Sequence, residues 1–488
     1  MSNMCKTIAG FIIVIWCLAG NLCAYSQETS DNMLAPLVAV PLETESDSER
    51  LNQLSMDVEY LRSQLEKKAD KPSTSKGWSA PKVGGRFFID YVTAANQDWD
   101  GVDIGNNVAT QNWFGYREAR ITMTGTGYDF LDYKLELGFE KNNNIASYKD
   151  VFLGIQHVPI LEYVRIGNQY VEDAGSEICN GTTNYTFMEA PAPVGQYFMS
   201  RRLGITSHHL FVDDRIRMFF GIYDATNVSD IHYAKDDNQG YALNTRMTMA
   251  PVFCQDGRRL LLVGAYYNFV DSSSANNGNS KRALAFNRPG GWDVYNPTGV
   301  GDFFSHQYQK AGFEAVCQAG RFCVQADLFL QHYADVNNNG VDHEGKPVAY
   351  ANIGNQTNYG GFIMARWFLT QGDYRKYNLK SACWDGVEIS RPFKFGDEYG
   401  VNWPSGCGAW EVAGMYGIHD TFVFSTRFLP RDNDRMTNQQ VGVALNWYWN
   451  SNVKWAVNYF HDMSKVRQTT NDYYPTGDFL GMSCRVAF

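Results

Sequence analysis

Several runs of this 488-residue chain carry ionisable side chains at every second position, with apolar side chains between them. Lys134 and Glu136 alternate with Tyr133, Leu135, Leu137 and Phe139; Arg215 and Arg217 alternate with Ile216, Met218, Phe220 and Ile222; Lys454 alternates with Val453, Trp455 and Val457. Collected over such runs, the cations are Arg86, Arg120, Lys134, Arg165, Arg202, Arg215, Arg217, Arg246, Arg366, Lys454 and Arg485. The carboxylates that oppose them are Asp90, Glu118, Glu136, Glu140, Asp150, Asp327, Glu411 and Asp462. A charged wall of this kind can replace part of an ion's hydration shell at a narrow point and so sort solutes by charge. The same residues can instead pair with one another and simply keep a polar space hydrated. Bond-making chemistry finds no comparable set. Asp335, Asn337, Asn339 and Gly340 begin like a calcium loop, but Lys346 stands where the bidentate Glu is required. His208 and His209 lack a third ligand, and no phosphate-cradling loop, nucleophile elbow or H-E-x-x-H is present. The expectation is a protein with no catalytic residues, no metal and no cofactor.

The elements that position these charges have period 2, the period of a β-strand with two different faces. Alternation alone does not separate a soluble sandwich from a membrane barrel. Aromatic placement does: Trp447, Tyr448 and Trp449 precede Asn450, and Tyr266, Tyr267 and Phe269 precede a polar stretch, as at the edges of a lipid-facing band. Composition agrees, with 15% aromatic against 19% charged residues and 44 glycines. About sixteen runs of roughly ten residues lie between Arg86 and Phe488, and an even number closes a barrel with both termini on one side. Connections at 450–452 and 212–214 are tight, while 271–305, 371–407 and 171–200 are long, which predicts short turns on one side of a membrane and long loops on the other. The net charge of −10 excludes a nucleic-acid partner.

Ahead of this region, Lys6 precedes an uncharged apolar run over residues 8–19, shorter than the ~20 residues a spanning helix needs, and small residues follow near Ala24 and Ser26. Residues 1–26 read as a signal peptide for export and 27–48 as a polar spacer. Leu51, Leu54, Val58, Leu61 and Leu65 are spaced 3, 4, 3, 4, which predicts a short α-helical coiled coil over 49–69, followed by a linker at 70–82. So short a seam is stable mainly if the following domain already holds the copies together. Asn227-Val228-Ser229 has a glycosylation pattern, a short motif that carries little weight by itself. Cys179, Cys254, Cys317, Cys323, Cys383, Cys407 and Cys484 remain after the signal, an odd and scattered set. Cys317, Cys323 and Cys484 read as small strand hydrophobes, and Cys383 and Cys407 could pair across a loop.

The last run ends Leu480, Met482, Cys484, Val486, Phe488, which is similar to the aromatic recognition tail of bacterial outer-membrane barrels. With it, a collinear series of short motifs from Gly84 onward resembles the phosphate-selective porin O and P family. The series is Gly84-Gly85-Arg86 with Asp90-Tyr91; Tyr116-Arg117-Glu118-Ala119-Arg120; Thr186-Phe187-Met188-Glu189; Arg201-Arg202-Leu203-Gly204; Phe368-Leu369-Thr370 then Gly372; Gly408-Ala409-Trp410-Glu411; and Leu445-Asn446-Trp447-Tyr448 leading to Val457-Asn458-Tyr459. The resemblance implies an all-β, transmembrane antiparallel β-barrel of about sixteen strands over 83–488, trimeric and water-filled. Its third loop, here 171–200, would fold inward as a constriction. Arg86 matches one arginine of that constriction and Arg117 another, although its own alternation with Ala119 and Ile121 aims Arg117 at lipid unless the strand is bulged. Glu118 and Asn168 stand where anion-selective members carry arginine. Residues 171–200 hold Glu172, Asp173, Glu177 and Glu189 and neither Lys nor Arg, a composition expected to repel anions in a narrow channel.

The expectation is therefore a homotrimeric porin in outer-membrane lipid of a bacterial cell. It would pass small polar solutes or ions, phosphate or other anions among them, beside Arg86, Arg117, Glu118, Arg120, Lys134, Arg165, Arg202, Arg215, Arg217 and Arg246. Two alternatives stay open. One is a barrel enzyme of protease or lipase type, which needs a carboxylate or Ser/His set at one rim. The other is a structural or adhesive barrel with a plugged lumen.

Overall fold

A computed structural model describes residues 77–98, 112–139, 147–195, 197–225, 240–271, 280–282, 303–337, 350, 352–394, 406–422, 435–467, 472–473 and 476–488. The expectations for a signal peptide, spacer, coiled coil and most of the linker fall outside the described residues, as do Glu140, Asn227 and most of the calcium-like loop.

The alternating runs become sixteen antiparallel strands. They are β1 (Lys82–Asp98), β2 (Trp113–Gly127), β3 (Leu131–Gly138), β4 (Ser147–Val158), β5 (Glu162–Tyr170), β6 (Arg201–Phe211), β7 (Ile216–Asp224) and β8 (Tyr241–Cys254). They continue as β9 (Arg259–Asp271), β10 (Gln307–Ala319), β11 (Phe322–Asn337), β12 (Asn352–Phe368), β13 (Ala409–Phe422), β14 (Arg435–Asn450), β15 (Val453–Arg467) and β16 (Thr476–Ala487). Each pairs with its sequence neighbours, and β1 also pairs with β16 from Arg86↔Ala487 to Asp98↔Thr476, so no edge remains. At that seam Gly85 and Phe488 exchange two backbone hydrogen bonds of 2.9 Å.

Side-chain direction follows the sequence pattern. On β7, Met218, Phe220 and Ile222 are exposed on the outside while Arg217, Phe219 and Tyr223 are buried inside. The exposed face carries aromatics toward both ends, with Tyr116, Tyr148, Tyr267, Tyr359, Tyr416 and Tyr459 near one and Trp78, Tyr128, Phe322, Trp367 and Trp455 near the other. Between them lie aliphatic residues such as Ile205, Val443 and Val457. In water such a belt would be costly; against acyl chains it is neutral or favourable.

Six connections of two to four residues lie at the end where the chain enters β1, from 128–130 to 451–452. The opposite end carries the long loops. One connection departs from the sequence reading: 369–408, expected among the long outer loops, joins β12 to β13 at the short-turn end. Parity forces this, because a chain that starts upward in β1 ends every even-numbered strand at the end where it began.

Two segments leave the wall and occupy the interior. Residues 171–200, between β5 and β6, fold in from the long-loop end and bury Val171, Ala174, Ile178, Phe187, Val194 and Tyr197. From the short-turn end, a hairpin of Tyr374–Asn378 and Cys383–Glu388 packs inward, with Tyr377 and Trp384 buried against Leu260, Leu262 and Val316. Inward faces of β8 to β15 are accordingly partly apolar, with Tyr266, Phe329, Phe362, Met415 and Phe460 around the inward loop. The lumen implied by the resemblance is thus partly filled by protein.

Candidate functional site

The charged wall resolves into a belt and a set of anchors. In the belt, Arg86 on β1 reaches Glu118 at 2.7 Å and Glu136 at 3.0 Å; Arg120 on β2 reaches the same two carboxylates at 2.9 and 3.1 Å. Lys134 on β3 bridges Glu136 and Asp150, and Arg201 on β6 pairs with Asp150 at 2.5 Å. Four cations thus face three carboxylates on the inner face of β1 to β6. Arg86 and Lys134 keep 14% and 25% of their side chains accessible, so the belt is wetted rather than sealed. Glu118 also accepts from the Thr182 hydroxyl of the inward loop, which places the belt where wall and loop meet.

Arg117 shows how a local irregularity positions a functional side chain. The β1–β2 register passes from Phe88↔Glu118 to Ile89↔Tyr116, so Arg117 is the extra residue of a bulge. Released from the alternation that would aim it at lipid, Arg117 pairs with Glu189 of the inward loop at 2.5 Å.

All four carboxylates of the inward loop have cationic partners on the wall. Glu172 makes a bidentate pair with Arg217, both contacts 2.7 Å, and a third contact with Arg246. Asp173 meets Lys310 at 3.4 Å, and Glu177 meets Arg366 at 3.8 Å while accepting from the Thr186 backbone. Burial would raise Glu172, but Arg217 and Arg246 outweigh it and hold the carboxyl below its ordinary value. Glu189 is the contrary case: burial outweighs Arg117 and pushes it up to about 7. The acidic loop therefore does not present the bare negative charge that its composition led us to expect. Its carboxylates hold it to the wall, and further wall cations bind its carbonyls: Lys454 at Tyr185 and Thr186, Arg485 at Thr182 and Met188.

The remaining sequence-predicted residues divide by location. Arg165 lies inside β5 against Phe152 and Tyr163, its guanidinium 4.1 Å from the Phe152 ring centre. Arg202 is buried on the inner face of β6. Arg215 is not on the belt but in the turn before β7, where it reaches the carbonyls of Ala250 and Pro251. Arg246, expected beside the passage, is fully covered; it joins Glu314 at 2.7 Å, the Ser176 hydroxyl of the loop and the Ala382 carbonyl of the hairpin. Asn168 donates to the Lys149 carbonyl. All seven described cysteines are free, Cys383 and Cys407 included, and Cys383 instead donates to the Cys179 carbonyl of the inward loop. Among the described residues no group of three or more His, Cys, Asp or Glu could hold a metal ion.

Sequence reasoning passed over Arg201, Lys310, Glu314 and Arg375. Lys310 and Glu314 obey the same alternation as their neighbours, so the rule already in use would have found them, whereas Arg201 stands at the start of β6 beside the inward Arg202, where alternation aims it outward. Arg375 lies off the barrel wall, where it binds Glu411, the Tyr448 hydroxyl and the Asn184 carbonyl; no alternation marks it.

Below the belt, at the short-turn end, the structure opens into several cavities, among them one of about 560 Å³ between the hairpin and the β6–β7 and β8–β9 turns, lined by Asp214, Arg215, Asp256, Lys376 and Lys380. One of about 350 Å³ is lined by Arg86, Thr122, Thr124, Thr183 and Phe488. Another of about 460 Å³ lies between β3 to β7 and the hairpin, lined by Asp132, Arg165, Glu172, His208, Arg217 and Lys380 among others. The interior is thus divided into a polar, hydrated flank along β1 to β7 and a filled flank along β8 to β15.

The sequence profile of the phosphate-selective porin O and P family matches residues 82–488. No curated protein matches the chain. Among solved structures, similarity extends to a loop-deletion form of OmpT, an outer membrane protein of Vibrio cholerae, at 8% identity over 85% of this chain and 100% of that one, with a TM-score of 0.48. An anion-selective porin from Comamonas acidovorans aligns at 11% identity over 84% and 99% of the two chains, with a TM-score of 0.43. Salmonella typhi OmpF in complex with daunomycin aligns at 15% identity over 83% and 97%, also at 0.43. Because the family profile runs unbroken from β1 to the terminal Phe488, the chain belongs to the phosphate-selective porin O and P family and is a porin of the outer membrane.

Proposed function

We propose that this porin is a passive pore for small polar solutes and ions, whose path follows the β1 to β7 flank past the belt and whose preference is weakly anionic rather than phosphate-specific. The belt carries this reading. A phosphate site needs cations whose donors are not already committed, whereas Arg86, Arg120, Lys134 and Arg201 each hold a carboxylate. One excess cation remains among them, and in salt its field is screened beyond ~8 Å, which favours anions without binding them tightly. The short-turn end faces the periplasm, and the working unit is a homotrimer held in outer-membrane lipid, with 49–69 as its coiled coil.

A second reading has its own observation. The inward loop and the hairpin both pack inside the wall, as a structural barrel with a plugged lumen would require. Purified full-length protein in a planar bilayer separates the two. The pore predicts discrete conductance steps, a reversal potential displaced slightly to the anion side in a KCl gradient, and a chloride current that inorganic phosphate does not block. Folded protein that gives no steps would remove the pore reading and leave the plug. Phosphate block of the chloride current would instead replace general selectivity with a phosphate site.

A further inference from the structure

We infer that Cys179 of the inward loop and Cys383 of the hairpin form a disulfide in the exported protein, a covalent staple between two segments that enter the interior from opposite ends. The structure holds both as free thiols, so the bond is a modification of this fold and not a contact already made. The inference does not depend on what the barrel conducts.

Proximity is the first observation. The Cys383 thiol donates to the backbone carbonyl of Cys179 at 2.7 Å. Standard bond lengths put that oxygen about 2.4 Å from the Cys179 Cα, so the Cys383 Sγ lies within about 5 Å of it. A disulfide spans about 4.4–6.8 Å between Cα atoms, so rotation about the two χ1 angles, with a small backbone adjustment, joins the sulfurs. The Cys179 thiol donates to the Ala174 carbonyl at 3.0 Å, a weak contact that costs little to give up.

Contacts on both sides hold the two cysteines in register. Arg246 of β8 donates to the Ala382 carbonyl at 2.8 Å and to the Ser176 hydroxyl at 3.3 Å, gripping the residue before Cys383 and the turn that leads to Cys179. The Ser176 and Tyr377 hydroxyls are 2.8 Å apart. The Asn184 side chain donates to the Trp384 carbonyl at 3.1 Å, and its own carbonyl accepts from Arg375 at 2.6 Å. Loop and hairpin thus meet at further points within a few residues of the sulfurs, so fixed backbone presents the pair. The other described cysteines are placed elsewhere. Cys254 is exposed at the end of β8, and Cys317 and Cys484 stand at outward positions of β10 and β16. Cys323 accepts from Arg366 at 3.1 Å, and Cys407 donates to the Gly408 carbonyl.

The compartment supplies the chemistry. A chain bound for the outer membrane crosses the oxidising periplasm before its barrel closes, and its thiols are accessible there. One cysteine, as thiolate, attacks a disulfide oxidant, forming a mixed disulfide and releasing one oxidant sulfur as thiolate. The thiolate of the second cysteine then attacks the mixed disulfide and displaces the other oxidant sulfur. Cys179 and Cys383 together lose two protons and two electrons, and the oxidant leaves as a dithiol. In the closed barrel both residues are only 8% exposed, so a thiol reductant reaches the finished bond when the barrel opens. Because the two residues lie far apart in sequence, the bond restricts the unfolded chain more than the folded one and so stabilises the barrel.

The experiment uses full-length protein extracted from bacterial outer membranes, alkylated under denaturing conditions without reductant and digested for mass spectrometry. The expected product is a linked peptide joining Cys179 to Cys383 that disappears on reduction, with Cys407 alkylated. Urea unfolding in detergent should have a midpoint lower by on the order of 1 M with dithiothreitol than without it. That difference should be absent in C383S, whose hydroxyl keeps a donor for the Cys179 carbonyl. Full alkylation of Cys179 and Cys383 in the extracted parent overturns the inference, as does a link from either to a different cysteine. A mapped link with the same midpoint in both conditions overturns the staple. The parent decides even if C383S does not fold. Because no readout is a conductance, failure here leaves the pore reading standing.

Discussion

Glu189 and Arg117 show why composition misjudged the constriction. Four acidic residues on one loop read as a negative field when only the loop is visible, because the cations that neutralise them lie far along the chain on other strands. Alternation did identify Arg217 as inward-facing; it could not say that Glu172 would be its partner. Arg117 was legible in a different way, since its conflict with the local alternation is what a bulge resolves. Glu189 offers a titratable test. Burial raises it to about 7 against Arg117, so the fold favours its neutral form. Any stability from this shift is complete below the ordinary carboxylate range and is lost as pH rises through about 7. For permeation the sign is opposite in emphasis: below pH 7 the carboxyl is neutral and Arg117 loses its counter-charge, so the lumen gains a positive charge. Reversal potentials recorded from pH 8 to pH 5 are expected to move toward anions with a midpoint near 7, and Glu189→Gln should lock the acidic behaviour at every pH. A parent whose reversal potential does not move over that range would remove Glu189 from the conduction path.

At the level of elements, strand existence and facing were legible because lipid outside and polar residues inside impose period 2 on both surfaces. The hairpin was not, for two physical reasons. Its length imitated an outer loop, and only strand parity reveals its side. It is also short and off the wall, so it carries no long periodic pattern. A signal did exist elsewhere: Leu260, Leu261, Leu262 and Val263 on β9 are apolar on both faces, which an open polar lumen has no reason to require. Leu260 and Leu262 are the inward pair, buried with Tyr377 and Trp384 under the hairpin. Leu262→Ala should therefore cost about 2–5 kcal/mol, as for a packed core site. In a lumen without the hairpin the same change would be close to neutral. Urea unfolding in detergent, followed by tryptophan fluorescence, measures the difference, with Leu261→Ala on the opposite face of the strand as the comparison.

For the whole molecule, the decisive event is closure of β16 on β1, since an open sixteen-stranded sheet would leave unpaired backbone in hydrocarbon. The Gly84-Gly85-Arg86 stretch was legible as a motif, but its reason is tertiary. A Cβ on Gly84 would lie 2.6 Å from the Phe488 carbonyl oxygen, and one on Gly85 would lie 2.7 Å from the Arg120 carbonyl oxygen and 2.8 Å from the Phe488 ring. Real Cβ atoms do not approach backbone oxygens so closely, so the two glycines let the terminal residue seat against the first strand. The arginine that follows them then enters the belt at Glu118. Closure and constriction are thereby coupled through adjacent residues: the backbone that fastens the barrel also aims Arg86. Gly84→Ala should displace the terminal residue and slow closure, seen as a smaller heat-modifiable folded fraction on unboiled gels after refolding into detergent. Gly414→Ala, at a wall glycine with nothing within 4 Å of an added Cβ, should refold like the parent. Equal folded fractions for the two variants would show that close approach at the seam is not what the glycines provide. A deficit confined to Gly84→Ala, with altered selectivity in whatever fraction does close, would show that the seam positions the pore's first arginine.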